Sequence, residues 1–299
     1  MPLAAKPLPS MPKPAPPAVD VRDVSLTYRE RNGGRGSGVN GGRGGSDSAG
    51  EVQALREMSV HAAEHELLAV VGPSGCGKTT LLELICGLQR PDSGTIRCQP
   101  AALMPQRDLL LPWLTAADNA ALALRIGHCP RQRARARAGR LFEELGLAGF
   151  EHARPHELSG GMRQRVAFVR TLLSGKPLLC LDEPFGALDA ITRAEMQAWL
   201  TDALEREPRT VVLVTHDVEE AIVLADRVSV ISRRPGRVMD EMEIDLERPR
   251  SRSDRRVVAL RERALQALAG KRSPAQRIRP GATTTDAGGS EAIPGGRTR

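Results

Sequence analysis

The sequence predicts an α/β protein built on a largely parallel sheet, and three observations predict it. Short apolar runs alternate with helix-like stretches from residue 67 to residue 231, the pattern of repeated βα units. A glycine-rich turn, GPSGCGKTT at residues 72–80, joins one apolar run to a good helix former. A differently composed block, roughly residues 109–175, is mostly helical in pattern and carries an arginine-rich stretch at 131–140, as an insertion into a sheet domain would.

At 299 residues the chain can bury one sizeable core, so one compound domain with disordered ends is expected. Residues 1–18 are Pro-rich, too poor in apolar side chains to build a core, and lack the apolar stretch of a secretory signal. Two strand-like stretches follow at 19–28 and 51–62, separated by residues 31–50, which are dominated by Gly, Arg and Ser. That segment reads as a long flexible loop inserted between neighbouring strands and dispensable for folding.

Further strands are expected at residues 67–71, 102–104, 178–181, 211–214 and 228–231, with helices starting near Lys78, Met162, Ile191 and Asp217. The arginines of the inserted helical block are expected to form a solvated helix face. The main domain then ends near residue 248, one more helix is expected within 249–272, over 253–269, and residues 273–299, rich in Gly, Thr and Pro, read as a disordered tail.

Composition excludes several classes. The apolar runs around Leu67 and Leu178 stop far short of the roughly 18–20 residues of a membrane helix, so a soluble, cytoplasmic chain is expected. The net charge of +7 is concentrated in residues 248–299, where thirteen Lys or Arg face four Asp or Glu, leaving the rest slightly acidic. With one Tyr, two Trp and four Phe there is no aromatic platform for bases, so no nucleic-acid partner is expected. The five cysteines stand singly, without zinc or disulfide spacing, and read as small hydrophobes. Cys76 is the possible exception, because oxidation inside the glycine-rich turn could block a ligand there.

The turn from Gly72 to Thr79 fits G-x-x-x-x-G-K-[ST]. Gly72, Gly75 and Gly77 permit the backbone to turn successive N–H groups toward phosphates, and the helix N-terminus adds a favourable dipole. Lys78 can reach the β- and γ-phosphates of a nucleotide, and the Thr79 hydroxyl can coordinate Mg²⁺. Pro73, Ser74, Cys76 and Thr80 complete the loop. A turn of this form can arise by chance, but a strand before and a helix after argue against that. A second element is LLCLDEP at 178–184, an apolar strand ending in Asp182 and Glu183, where α/β sheets place ligands. Asp182 would hold Mg²⁺ through water, and Glu183 would accept a proton from an attacking water or orient it.

Between these elements stands LSGGMRQRV at 158–166, and with it the sequence resembles the ATP-binding cassette (ABC) family. The resemblance implies a P-loop NTPase (RecA-like) core with an antiparallel β subdomain and an inserted α-helical subdomain. It also implies that Ser159, Gly160 and Gly161 face the γ-phosphate of ATP bound to an opposite subunit. Ser159 can cap the helix, and the two glycines leave N–H groups open to an anion. By the same resemblance Tyr28 stacks on adenine, although a strand tyrosine can also be core. Gln106 senses Mg²⁺ and the attacking water, Asp189 lies in the loop linking two sites, and His216 contacts the γ-phosphate. Two departures stand out: the 31–50 insertion, and His65 where the family usually has Gly.

The implied partners are a second cassette, expected to be a second copy, integral membrane permease subunits and, indirectly, an extracytoplasmic solute-binding protein, at the cytoplasmic face of the membrane. The LLLPW segment at 109–113 is either core or the surface that receives the membrane subunit. The strings at 109–124, 182–200 and 231–238 resemble the nitrate, sulfonate and taurine importer branch, which also includes importers of thiamine precursors. An exporter ATPase and a soluble ABC ATPase acting on nucleic acid or ribosomes are the alternatives; neither a long coiled coil nor a second cassette is present in the sequence.

Overall fold

The structure is a computed structural model that describes residues 17–29 and 50–270. The ends and the 31–49 portion of the expected insertion lie outside the described residues. In chain order the elements are β1 (Val19–Arg29), β2 (Glu51–Ala62), β3 (Leu67–Val71), α1 (Lys78–Ile85), β4 (Ser93–Cys98) and β5 (Ala101–Met104). The inserted block holds α2 (Ala116–Ala120), α3 (Leu122–Ile126), α4 (Arg131–Glu144) and α5 (Gly160–Leu172). Then come β6 (Leu178–Asp182), α6 (Ala190–Arg206), β7 (Thr210–Thr215), α7 (Val218–Leu224), β8 (Arg227–Ile231), β9 (Val238–Glu243) and α8 (Arg255–Leu268).

Two sheets result. A three-stranded antiparallel sheet has the order β2-β1-β4, and a six-stranded sheet has the order β5-β6-β7-β3-β8-β9, parallel except for the β8–β9 pair. Strands β3, β6 and β7 are buried at every position, which is why they read as unbroken apolar runs rather than alternating ones. Their side chains divide by parity. Leu67, Ala69 and Val71 face the core shared with the helical insertion, α7 and α8, whereas Leu68 and Val70 face the core shared with α1 and the antiparallel sheet.

Neither β4 nor β9 was expected. In β4 every residue but Ile96 is exposed, and β9 alternates Asp and Glu with methionines, so neither offers an apolar run. Both are edge strands, where such composition is common. Helix α5 starts at Gly160 rather than near Met162, because Ser159 caps it by accepting from the Met162 N–H at 3.2 Å. Asp217 is the cap of α7 rather than its first residue.

The arginines of α4 do not all form a solvated face. Arg133, Arg137 and Arg140 are exposed as expected, but Arg131 and Arg135, one turn apart, both converge on buried Asp118 of α2 at 2.6 and 2.5 Å. Their guanidinium groups hold the Asp118 carboxyl well below the usual carboxylate range. The pair therefore ties α4 to α2. His65, the departure from glycine, stands at φ 64°, a left-handed conformation that glycine adopts without penalty and that histidine tolerates better than most residues. Its N–H donates to Thr210 Oγ1 at 2.9 Å, so the turn ahead of β3 closes with histidine in place.

Candidate nucleotide site

Helix α1 begins directly after β3 through the glycine-rich turn. Its cap, Gly77, lies at φ 103°, and no side chain caps the helix, so its first N–H groups remain free for an anion. A Cβ at Gly77 would approach Leu55 Cδ2 to 2.7 Å and the Ala54 carbonyl to 2.9 Å. Both the conformation and the contact with β2 thus demand glycine. Lys78 is buried, and its Nζ donates to the carbonyls of Gly72 (2.8 Å) and Pro73 (3.1 Å), curling back over the loop. The Cys76 side chain is buried, and burial pushes its thiol pKa up, which disfavours the thiolate that oxidation requires.

The C-terminal ends of β6 and β7 meet this loop. Thr79 Oγ1 donates to Asp182 Oδ2 at 2.7 Å. Burial raises the Asp182 pKa, with the Thr79 hydrogen bond opposing it. Glu183, one residue on, sits at φ 47° with its N–H bound to the Val214 carbonyl at 2.9 Å. This left-handed backbone in a non-glycine residue is a strained conformation of the kind that collects at functional sites. Its carboxylate accepts from Gln106 Nε2 at 3.0 Å and lies 3.1 Å from His216 Nδ1. Three candidates from β5, β6 and β7 loops are thereby brought onto one another.

These groups border a cleft of about 310 Å³ lined by Tyr28, Ser74, Gly75, Gly77, Lys78, Thr79, Thr80, Gln106, Asp182 and Glu183, a size suited to a small ligand. Tyr28 is 40% exposed, so it is not core, and its hydroxyl bonds Thr80 Oγ1 at 3.2 Å and receives Gln89 Nε2 at 2.9 Å. The ring face is therefore set at the cleft wall. Val52, Ala54 and Arg234 also line it and are not among the expected residues; Arg234 comes from a turn about 160 positions from Gly75. Arg234 lies in the 231–238 string that resembles the importer branch.

Other candidates stand apart. Ser159, Gly160 and Gly161 do not line the cleft, and Ser159 and Gly160 are exposed. Asp189 caps α6, accepting from the N–H groups of Ile191 and Thr192 at 3.1 Å. In the LLLPW segment, Leu109 and Trp113 are 61% and 68% exposed while Leu110 is buried, so most of its apolar surface is not core.

Glu220 of α7, four residues after His216, is buried and bonded by Gln197 Nε2 at 3.2 Å. Burial pushes its pKa up to about 7 from an ordinary 4.5. The folded chain therefore holds this proton more tightly than the unfolded chain, and stability falls as pH rises from about 4.5 to about 7. Glu220→Gln should remove that slope and stabilise the protein at pH 8 by on the order of 2–3 kcal/mol, with little effect at pH 4. Urea midpoints at the two pH values measure it; a variant no more stable than wild type at pH 8 contradicts the assignment.

Fold and site together define a P-loop nucleotide-binding ATPase. The sequence profile of the ABC transporter family matches residues 55–186. The aliphatic sulfonates import ATP-binding protein SsuB 2 of Burkholderia lata is 41% identical over 73% of this chain and 82% of its own length. The formylaminopyrimidine import ATP-binding protein ThiZ of Halalkalibacterium halodurans is 44% identical over 64% of this chain and 78% of its own. Among solved structures, the dimeric ATP-binding cassette MJ0796, in a post-hydrolysis state with ADP and Pi, superposes with a TM-score of 0.65 at 27% identity, over 77% of this chain and all of its own. The chain belongs to the ABC transporter family as an ATP-binding subunit, and it is an ATPase. Among the described residues, no helix is long and apolar enough to cross a membrane.

Proposed function

We propose that this subunit powers import of a small solute, of the nitrate, sulfonate, taurine or thiamine-precursor kind, through separate membrane subunits at the cytoplasmic face of the membrane. The observation that carries the hydrolytic part is the Glu183 carboxylate held between Gln106 and His216 at the end of the phosphate-loop cleft. Tyr28 packs against adenine, the loop from Gly72 through Pro73, Ser74, Gly75, Cys76 and Gly77 to Lys78, Thr79 and Thr80 cradles the phosphates, and Glu183 accepts the proton of the attacking water. Gln106 and His216 hold the Glu183 carboxylate and the water in line.

The donor set near Thr79 suits Mg²⁺: a hydroxyl and a carboxylate 2.7 Å apart, with the Gln106 amide beside Glu183. Mg²⁺ at such a site keeps several waters and takes phosphate oxygens. Thr79 and Asp182 would hold it, and it would supply neutralisation of charge on the phosphate chain. A second copy of the chain presents Ser159, Gly160 and Gly161 to the bound ATP, and the exposed Leu109 and Trp113, next to Gln106, receive the membrane subunit.

The experiment is ATPase activity of the complex with its membrane subunits, in vesicles loaded in turn with binding proteins carrying taurine, an alkanesulfonate, nitrate or a formylaminopyrimidine. Stimulation by one loaded binding protein is the expected result and names the solute. Activity indifferent to every binding protein, or raised by nucleic acid or ribosomes instead, overturns the importer reading.

A further inference from the structure

The turn between β8 and β9 passes over the phosphate loop, and it is clamped there. Gly236 N–H donates to the Ala54 carbonyl at 2.8 Å and the Arg56 N–H donates to the Gly236 carbonyl at 3.0 Å, which fastens the turn to β2. Ser232 Oγ donates to the Pro235 carbonyl at 2.9 Å, closing the turn on itself. Gly236 packs so closely on the Cys76 carbonyl that a Cβ there would collide with it. The backbone that presents Arg234 is therefore registered against the loop that would hold phosphates.

Arg234 reaches from this turn into the same cleft as Tyr28, Lys78 and Thr79. Its Nε donates to the Gly75 carbonyl at 2.9 Å, which leaves the far edge of the guanidinium to be satisfied by something else. Among the described residues no carboxylate lies within ion-pair distance of it. Lys78, the other cation at the cleft, already donates to two loop carbonyls. A planar guanidinium pinned by one nitrogen on the rim of an anion cradle is arranged to give its remaining donors to a phosphate, where bidentate bonding is strong.

We propose that Arg234 is a further nucleotide-binding residue, a second cation that grips the polyphosphate chain of ATP or ADP from the β8–β9 turn. This rests on the reading that nucleotide occupies the phosphate-loop cleft. Arg234 then adds affinity that depends on phosphate charge and that neither Lys78 nor the loop N–H groups provide. It also gives the β8–β9 turn a role in the site, beyond its place at the edge of the sheet.

The test is equilibrium binding of a fluorescent ADP to the full chain at several salt concentrations, for wild type, Arg234→Gln, Arg234→Lys and Lys78→Ala. Arg234→Gln keeps a donor for the Gly75 carbonyl but removes the charge. It should weaken ADP about tenfold or more and flatten the salt dependence, with Arg234→Lys between it and wild type. Wild-type affinity in Arg234→Gln while Lys78→Ala loses binding would overturn the proposal and leave the site reading intact. Weaker binding with an unchanged salt slope would also overturn it, because the arginine would then only shape the loop. Wild-type affinity in Lys78→Ala would instead remove the site reading itself.

Discussion

Glu183→Gln is expected to bind ATP with near wild-type affinity and to hydrolyse it about 10²–10⁴-fold more slowly. The substitution changes little but the chemistry at one oxygen. A glutamine at this position still offers an oxygen to Gln106 Nε2, which now lies 3.0 Å from the Glu183 carboxylate, and the backbone bond from residue 183 to the Val214 carbonyl is untouched. If Glu183 is the general base, what is lost is the ability to take a proton from water. ATP holds two cassettes together only through contacts that the open state lacks, and without hydrolysis those contacts persist. The variant should therefore run as a stable dimer in ATP on size exclusion, while wild type returns to monomer as ATP is consumed. Single-turnover hydrolysis measures the chemical step directly. Hydrolysis at the wild-type rate would remove Glu183 from its assigned role.

These candidate elements are legible in the sequence because they are short and local. The phosphate loop is a contiguous string, β6 delivers Asp182 and Glu183 at the end of an unbroken apolar run, and Ser159 caps α5 from the residue before it. Each is written in neighbouring residues, so spacing is enough to find it. The central strands were legible for the same reason: Leu67 to Val71 is buried on both faces and needs no alternation.

The illegible parts are those in which partners are distant. Arg131 and Arg135 look like a solvated face until α2 brings Asp118 between them. Arg234 is about 160 positions from Gly75, and no periodicity announces that the β8–β9 turn will lie on the phosphate loop. Ala54 likewise lines the cleft only because β2 passes so close to Gly77 that Leu55 and the Ala54 carbonyl exclude a Cβ there. The left-handed backbone of Glu183 is equally hidden, since glutamate carries no preference for it and surrounding bonds impose it. Strands β4 and β9 were missed on other grounds: an edge strand needs only one neighbour, so its composition can be polar.

The two-chain character of the proposed site gives the second large effect, and it can be tested by complementation. Ser159 and Gly160 are exposed and, with Gly161, stand outside the cleft that holds Lys78 and Glu183, so one chain does not bring the two sets together. Lys78→Ala removes a cation from the cleft, and Ser159→Arg places a long cation where, in the proposed dimer, a helix N-terminus would meet the γ-phosphate. Each homodimer should lose activity by about 10²-fold or more, on the scale of a lost transition-state contact. Mixed, they behave differently. In a heterodimer the two lesions fall on one composite site, and the other is built from the intact Lys78 of one chain and the intact Ser159 of its partner. Mixing two inactive proteins should thus restore hydrolysis at one site per dimer. A site completed within a single chain would leave the mixture as inactive as its parts, because every chain would still carry one lesion. ATPase activity against mixing ratio, rising from near zero to a maximum at equal amounts, is the expected curve, and a flat line rules out the shared site.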